Sequence, residues 1–190
     1  MDLFLLSTVS VAIAEIGDKT QLLAIVLACR YRQPWTVLAG ILVATLANHA
    51  LAAMVGAALG EVWDGPVFGV LVGVLFLAVA AWALVPDRLD DAPQPVGRAS
   101  AFLATVLAFF VVEMGDKTQI ATVLLAAGHG SVIIVAAGTT LGMMLANAPA
   151  VFLGEAAARV LPLAWMRRAA AVVFAGVGVW TILAALGMVG

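Results

Sequence analysis

Glu15-Ile16-Gly17-Asp18-Lys19-Thr20-Gln21 is repeated as Glu113-Met114-Gly115-Asp116-Lys117-Thr118-Gln119. The offset is 98 residues in a chain of 190. Each copy sits deep inside a long apolar stretch, where charge is costly. A costly motif written once in each half points to one functional site built twice.

The surroundings set the class. The chain is 65% hydrophobic and 11% charged, with a mean hydropathy of +1.16. Soluble domains carry about 25% charged residues, so this composition is that of an integral membrane protein. A formal net charge of −2 argues against a nucleic-acid partner. The single cysteine, Cys29, excludes an internal disulfide and a cysteine-cluster metal site; it reads as a small filler at a helix end. Residues 3–14 resemble the apolar core of a leader peptide, but Asp2 is the only nearby charge and no basic region precedes them. They are read as the start of a helix.

A spanning helix needs about 20 mostly apolar residues. Six segments qualify: 3–28, 35–59, 66–85, 99–127, 131–154 and 167–188. Turn or charge signals separate them. Pro86 to Arg98 alone resembles a linker. It divides the chain into a three-helix unit over 1–86, a cytoplasmic linker over 87–98 and a second three-helix unit over 99–190. At the same 98-residue offset Gly40 matches Gly138, Gly56 matches Gly154, Phe76 matches Phe174 and Trp82 matches Trp180. Leu46-Ala47-Asn48 matches Leu145-Ala146-Asn147 with a slip of one.

An odd number of helices per repeat makes the second repeat enter the membrane from the other side. The expected fold is therefore all-α, six transmembrane helices in two inverted repeats, a layout that places substrate sites at the repeat interface near midplane. Charge supports it. Arg30, Arg32, Arg88, Arg98, Arg159, Arg167 and Arg168 all fall in the connections of one side, which the positive-inside rule makes cytoplasmic. Both termini are then outside the cytoplasm.

Glu15 and Glu113 fall near half depth at a rise of about 1.5 Å per residue. A charged side chain there costs about 3 kcal/mol, and six of them roughly 15–20 kcal/mol, if they face lipid independently. They must face the interior and pair. In a continuous helix Glu15 would meet Asp18 at i, i+3 and Lys19 at i, i+4. Gly17 and Gly115 either admit a neighbouring backbone or break the helix. Four carboxylates and two ammonium groups sum to −2, which one divalent cation or two protons would neutralise. Oxygen donors without thiolate suit Mg²⁺, Ca²⁺ and Mn²⁺. A purely structural set of intrahelical ion pairs is the competing reading. Lys19 and Lys117 either hold the carboxylates ionised or take part in the proton cycle.

Asn48 and Asn147 are further candidates, as ligands or as interhelical hydrogen bonds. His49 reads as packing and His129 as a solvated loop residue. Glu61, Asp64 and Glu155 read as ordinary interfacial charge. Trp63, Trp82, Trp165 and Trp180 fit interfacial belts, and Gly69, Gly73, Gly138, Gly142, Gly176 and Gly178 fit close helix packing.

The doubled Glu-x-Gly-Asp-Lys-Thr in a six-helix chain resembles the Gdt-one family of membrane cation/proton antiporters (uncharacterised protein family UPF-0016), over essentially the whole chain. The resemblance implies exchange of Mn²⁺ or Ca²⁺ for protons, manganese export in bacterial members, and no prosthetic group or enzymatic activity. It places the acidic residues on Glu15, Asp18, Glu113 and Asp116 as metal ligands. Gly17, Lys19, Thr20 and Gln21, with Gly115, Lys117, Thr118 and Gln119, support them. Without a presequence or an acidic central loop, a bacterial inner membrane is expected. Two other classes compete. An exporter of amino acids or small organic cations would need a roomier, more apolar site. A membrane-embedded lipid-phosphate hydrolase would place its acids near an interface beside arginine or histidine. Partners are a divalent cation, protons and the bilayer, with oligomeric state open, a homodimer included.

Overall fold

In the computed structural model, residues 2–63, 65–85, 100–153 and 163–189 are described. The expected linker 87–98, Asp64, Gly154, Glu155, Arg88, Arg98 and Arg159 lie outside them.

The described residues form eight helices: α1 Leu3–Glu15, α2 Lys19–Tyr31, α3 Pro34–Val62, α4 Pro66–Ala83, α5 Ala101–Glu113, α6 Lys117–His129, α7 Val132–Leu153 and α8 Leu163–Ala185. Four of them, α3, α4, α7 and α8, are long and apolar enough to cross a membrane. Of the two roles open to Gly17 and Gly115 the break is the one seen, so the segments 3–28 and 99–127 are not continuous helices. Each is two 13-residue helices joined at the motif. His129, expected in a loop, is the exposed last residue of α6.

The break is a local necessity. Ile16 lies at φ −66°, ψ 115° and Gly17 at φ 83°, and Asp18 N–H donates to Glu15 O at 3.1 Å. Met114 at φ −64°, ψ 119°, Gly115 at φ 78° and Asp116 N–H to Glu113 O at 3.1 Å repeat it. These φ values and bonds fit type II turns, whose third residue needs φ > 0 and so favours glycine. Asp18 and Asp116 then stand at the N-cap positions of α2 and α6, in extended conformation.

The halves interlock. α1 and α2 lie against α7 of the other half, while α5 and α6 lie against α3 of the first; α3 meets α7, and α4 meets α8. Glycines permit the closest crossings. A methyl at Gly40 would lie 2.7 Å from Thr105 Cβ and 3.1 Å from Phe102 O. A methyl at Gly138 would lie 2.8 Å from both Ser7 Cβ and Phe4 O. These partners stand at the same 98-residue offset, so the contact is built twice. Phe76 and Phe174 stack across α4 and α8 with centroids 6.5 Å apart. Gly176, expected to serve helix packing, has no neighbouring atom within 4 Å of an added Cβ.

Candidate metal centre

The C-terminal ends of α1 and α5 and the N-terminal ends of α2 and α6 bring both motifs into the interior. Glu15, Asp18, Glu113 and Asp116 are buried, with at most 2% exposure. Because the helix ends at Glu15, it does not face Asp18 or Lys19 by helical spacing, and the ion pairs are not intrahelical. They cross between the halves. Lys117 Nζ donates to Asp18 Oδ1 at 2.9 Å, and Lys19 Nζ lies 3.1 Å from Asp116 Oδ1. Each ammonium therefore neutralises a carboxylate that the other motif supplies.

The glutamates are held by their own motifs. Thr20 Oγ1 donates to Glu15 Oε1, and Thr118 Oγ1 donates to Glu113 Oε1 at 3.4 Å. In both glutamates Oε2 has no hydrogen-bond partner. Carboxylate oxygens of Glu15, Glu113 and Asp116 all lie within 4.8 Å of one another. The oxygen shell around a hard divalent cation is about 4–5 Å across, so the three fit one such ion. The two helix C-termini, the negative ends of their dipoles, also favour positive charge there. Of the four expected ligands, Asp18 is the one outside this set, engaged by Lys117.

Glutamine staples each turn to its own helix and to the other half. Gln21 Oε1 accepts from Gly17 N–H at 2.8 Å, and Gln21 Nε2 donates to Ala146 O on α7 at 2.9 Å. Gln119 Oε1 accepts from Gly115 N–H at 2.5 Å, and Gln119 Nε2 donates to Asn48 Oδ1 on α3 at 3.3 Å. Asn48 and Ala146 therefore occupy equivalent places, at the 98-residue offset. The pairing of Asn48 with Asn147 is corrected accordingly: the carbonyl of Ala146 does the work of the Asn48 amide oxygen. Pro149 lies inside α7 and leaves the carbonyl one turn earlier without its amide partner, next to Ala146. Asn48 Nδ2 donates to Phe110 O at 3.0 Å, near the open end of α5. Asn147 Nδ2 donates to Met143 O at 3.1 Å within its own helix. His49, equivalent to Asn147 by this offset, is wholly buried with neither ring nitrogen bonded.

One signal for the break was in the sequence. An N-cap residue followed three positions later by Gln or Glu marks a helix start, and Asp18-Lys19-Thr20-Gln21 carries it directly after a glycine. Nothing in the sequence indicated the exchange of lysines, since it depends on how the halves meet. A cavity of about 400 Å³ lies elsewhere, lined by Gly60, Phe68, Val72, His129 and Trp180 among others, and none of the motif residues lines it.

Comparison with known proteins finds one match in each half of the chain. The family described as "Divalent cation/proton antiporter GDT1" matches residues 3–91 and again residues 101–189. A protein of Vibrio cholerae serotype O1 named "Putative manganese exporter" is 45% identical over 175 residues, which cover 92% of this chain and 87% of that protein. No solved structure matches the chain.

Proposed function

This chain belongs to the divalent cation/proton antiporter GDT1 family of membrane proteins, and from that premise we propose that it exports Mn²⁺ from the cytoplasm in exchange for protons. The observation that carries the reading is the convergence of Glu15, Glu113 and Asp116 within 4.8 Å, buried where two helices break. A buried set of carboxylates with net negative charge is unstable without cations. Two protons or one divalent ion satisfy the same charge count of −2, so the two compete for one place. That competition is the chemistry of antiport. Oxygen-only donors suit Mn²⁺ or Ca²⁺, and the Vibrio relative's name favours manganese.

In this reading α1 with α2, and α5 with α6, each count as one broken crossing. With α3, α4, α7 and α8 the crossings number six, and the units 1–86 and 99–190 are inverted repeats with the ion at their interface. Arg30 in the last turn of α2 and Arg32 just after it, with Arg167 and Arg168 on α8, mark the cytoplasmic face of a bacterial inner membrane. Thr20 and Thr118 orient the glutamates, and Lys19 and Lys117 hold the aspartates. An amino-acid exporter has little support from a site so crowded with acidic oxygens. A hydrolase has little support from one whose nearby cations are lysines already paired with carboxylates.

Flux into proteoliposomes under an imposed pH gradient tests the reading, with Mn²⁺, Ca²⁺ and Mg²⁺ compared. Mn²⁺ flux is expected to follow the proton gradient and to fall to the level of empty liposomes in Glu15→Gln and Glu113→Gln. Wild-type flux in Glu15→Gln would overturn the assignment, as would inhibition by amino acids rather than by Ca²⁺.

A further inference from the structure

The acidic cluster is built from equivalent parts, yet it is asymmetric. Glu15 and Glu113 are equivalent and both contribute. Of the two equivalent aspartates, Asp116 joins them and Asp18 is turned to Lys117. The Asp18–Lys117 pair is enclosed, with 1% and 5% of the side chains exposed. The Asp116–Lys19 pair is looser, and Lys19 keeps 26% of its side chain exposed. The turns differ too: Gly115 and Met114 are exposed, whereas Gly17 and Ile16 are partly buried. The two copies of the motif therefore hold different environments at equivalent positions.

We propose that the cation uses two alternating ligand sets, Glu15–Glu113–Asp116 and Glu15–Glu113–Asp18, and that each aspartate is occupied by the opposing lysine whenever it is not a ligand. This rests on the cation-transport reading above and adds its switching rule. Two halves with the same parts in different conformations can exchange those conformations. The exchange encloses the Asp116–Lys19 pair, loosens the Asp18–Lys117 pair and carries the shared glutamates from one set to the other. A metal ion taking Asp116 must displace an ammonium group, and Lys19 has the exposure to withdraw. Lys117 is enclosed, so Asp18 stays closed to metal until the halves exchange. The lysines are thus tethered cations that keep each idle aspartate neutralised without a free ion.

Equilibrium binding and transport separate the two sets. Purified protein is titrated with Mn²⁺, the free ion is followed by its paramagnetic resonance signal, and the same variants are assayed for flux in proteoliposomes. Asp18→Asn and Asp116→Asn are each expected to weaken Mn²⁺ binding by no more than about tenfold, because the other set remains populated. Each is nevertheless expected to lose flux, which needs both sets. The double variant and Glu15→Gln are expected to weaken binding by more than about 100-fold. If Asp116→Asn abolishes binding while Asp18→Asn preserves binding and flux, the set is fixed and the proposal is overturned. If both single variants abolish binding, all four carboxylates act together and it is likewise overturned. Lys19→Gln and Lys117→Gln leave every carboxylate in place and are each expected to tighten Mn²⁺ binding several-fold; weaker binding in both would remove the lysines from the rule. Wild-type protein that binds neither Mn²⁺ nor Ca²⁺ would sink the antiporter reading itself, whereas normal wild-type binding with either overturning pattern sinks the alternation alone.

Discussion

Gly115 shows how much one residue contributes to the site. Its φ of 78° is a conformation that L side chains rarely adopt, although an added Cβ would meet nothing within 4 Å. The cost of Gly115→Ala is therefore backbone strain without a clash, on the order of 1–2 kcal/mol. Gly128 lies inside α6 and is also open around its Cβ, so Gly128→Ala meets no clash and gains helix propensity of up to about 1 kcal/mol. Thermal unfolding of the two variants in one detergent should move in opposite directions, down for Gly115→Ala and up for Gly128→Ala. A shift of the same sign in both would show that the turn does not depend on a left-handed residue at 115. The turn also explains why Glu15 could be located from sequence while its partners could not. Residue type and depth identified it as an interior charge. The helical spacing that assigned it Asp18 and Lys19 assumed an unbroken helix, and the turn places Thr20 against it instead.

Between elements, the determining contacts are those that let broken helices lie on long ones. A methyl at Gly56 would lie 2.1 Å from Val123 O on α6, and one at Gly142 would lie 2.4 Å from Thr8 O on α1. Neither neighbour is a flexible side chain, so the helices themselves would have to separate. Overpacking of this kind costs about 1–3 kcal/mol. α6 carries Lys117, Thr118 and Gln119, so separation would also spoil the cross-repeat bonds to Asp18 and Asn48. Gly56→Ala should therefore lower both the unfolding temperature and Mn²⁺ flux, whereas Gly176→Ala should leave both unchanged. Normal flux in Gly56→Ala would show that the site tolerates movement of α6 against α3. Long elements such as α3 and α7 were legible because about 20 apolar residues have few other uses. Their faces were not, because glycines that receive a backbone and glycines that face open space look alike in a sequence. Gly138 and Gly176 are such a pair. The offset between the halves was legible too, but its register at Asn48 was misread. Asn147 matches Asn48 in side-chain type, while the equivalent acceptor is the backbone of Ala146.

For the whole molecule, the cross-repeat ion pairs and the distribution of arginine make one connected statement about orientation. Lys117 reaches Asp18 and Lys19 reaches Asp116, so the motifs of both halves meet at one level in the interior. On the proposed reading each half makes three crossings, an odd number, so the two halves enter the bilayer from opposite sides. Arg30 and Arg32 lie at the end of the first crossing, and Arg167 and Arg168 near the start of the last, which begins on the same side as the end of the first. Arginine in short connections sets topology by its retention in the cytoplasm. On the proposed reading both chain ends are expected across the membrane from these arginines, outside the cytoplasm. Fusions at the C-terminus, following Gly190, give the measurement: alkaline phosphatase, which is active only after export, should be active there, and a fluorescent protein that folds only in the cytoplasm should be dark. Inserting two lysines after Gly190 adds positive charge to the side without lysine or arginine, and should lower the active phosphatase fraction without reversing it, because four arginines of the described residues oppose the change. A fluorescent C-terminal fusion with inactive phosphatase would reverse the assigned orientation, and with it the direction of export.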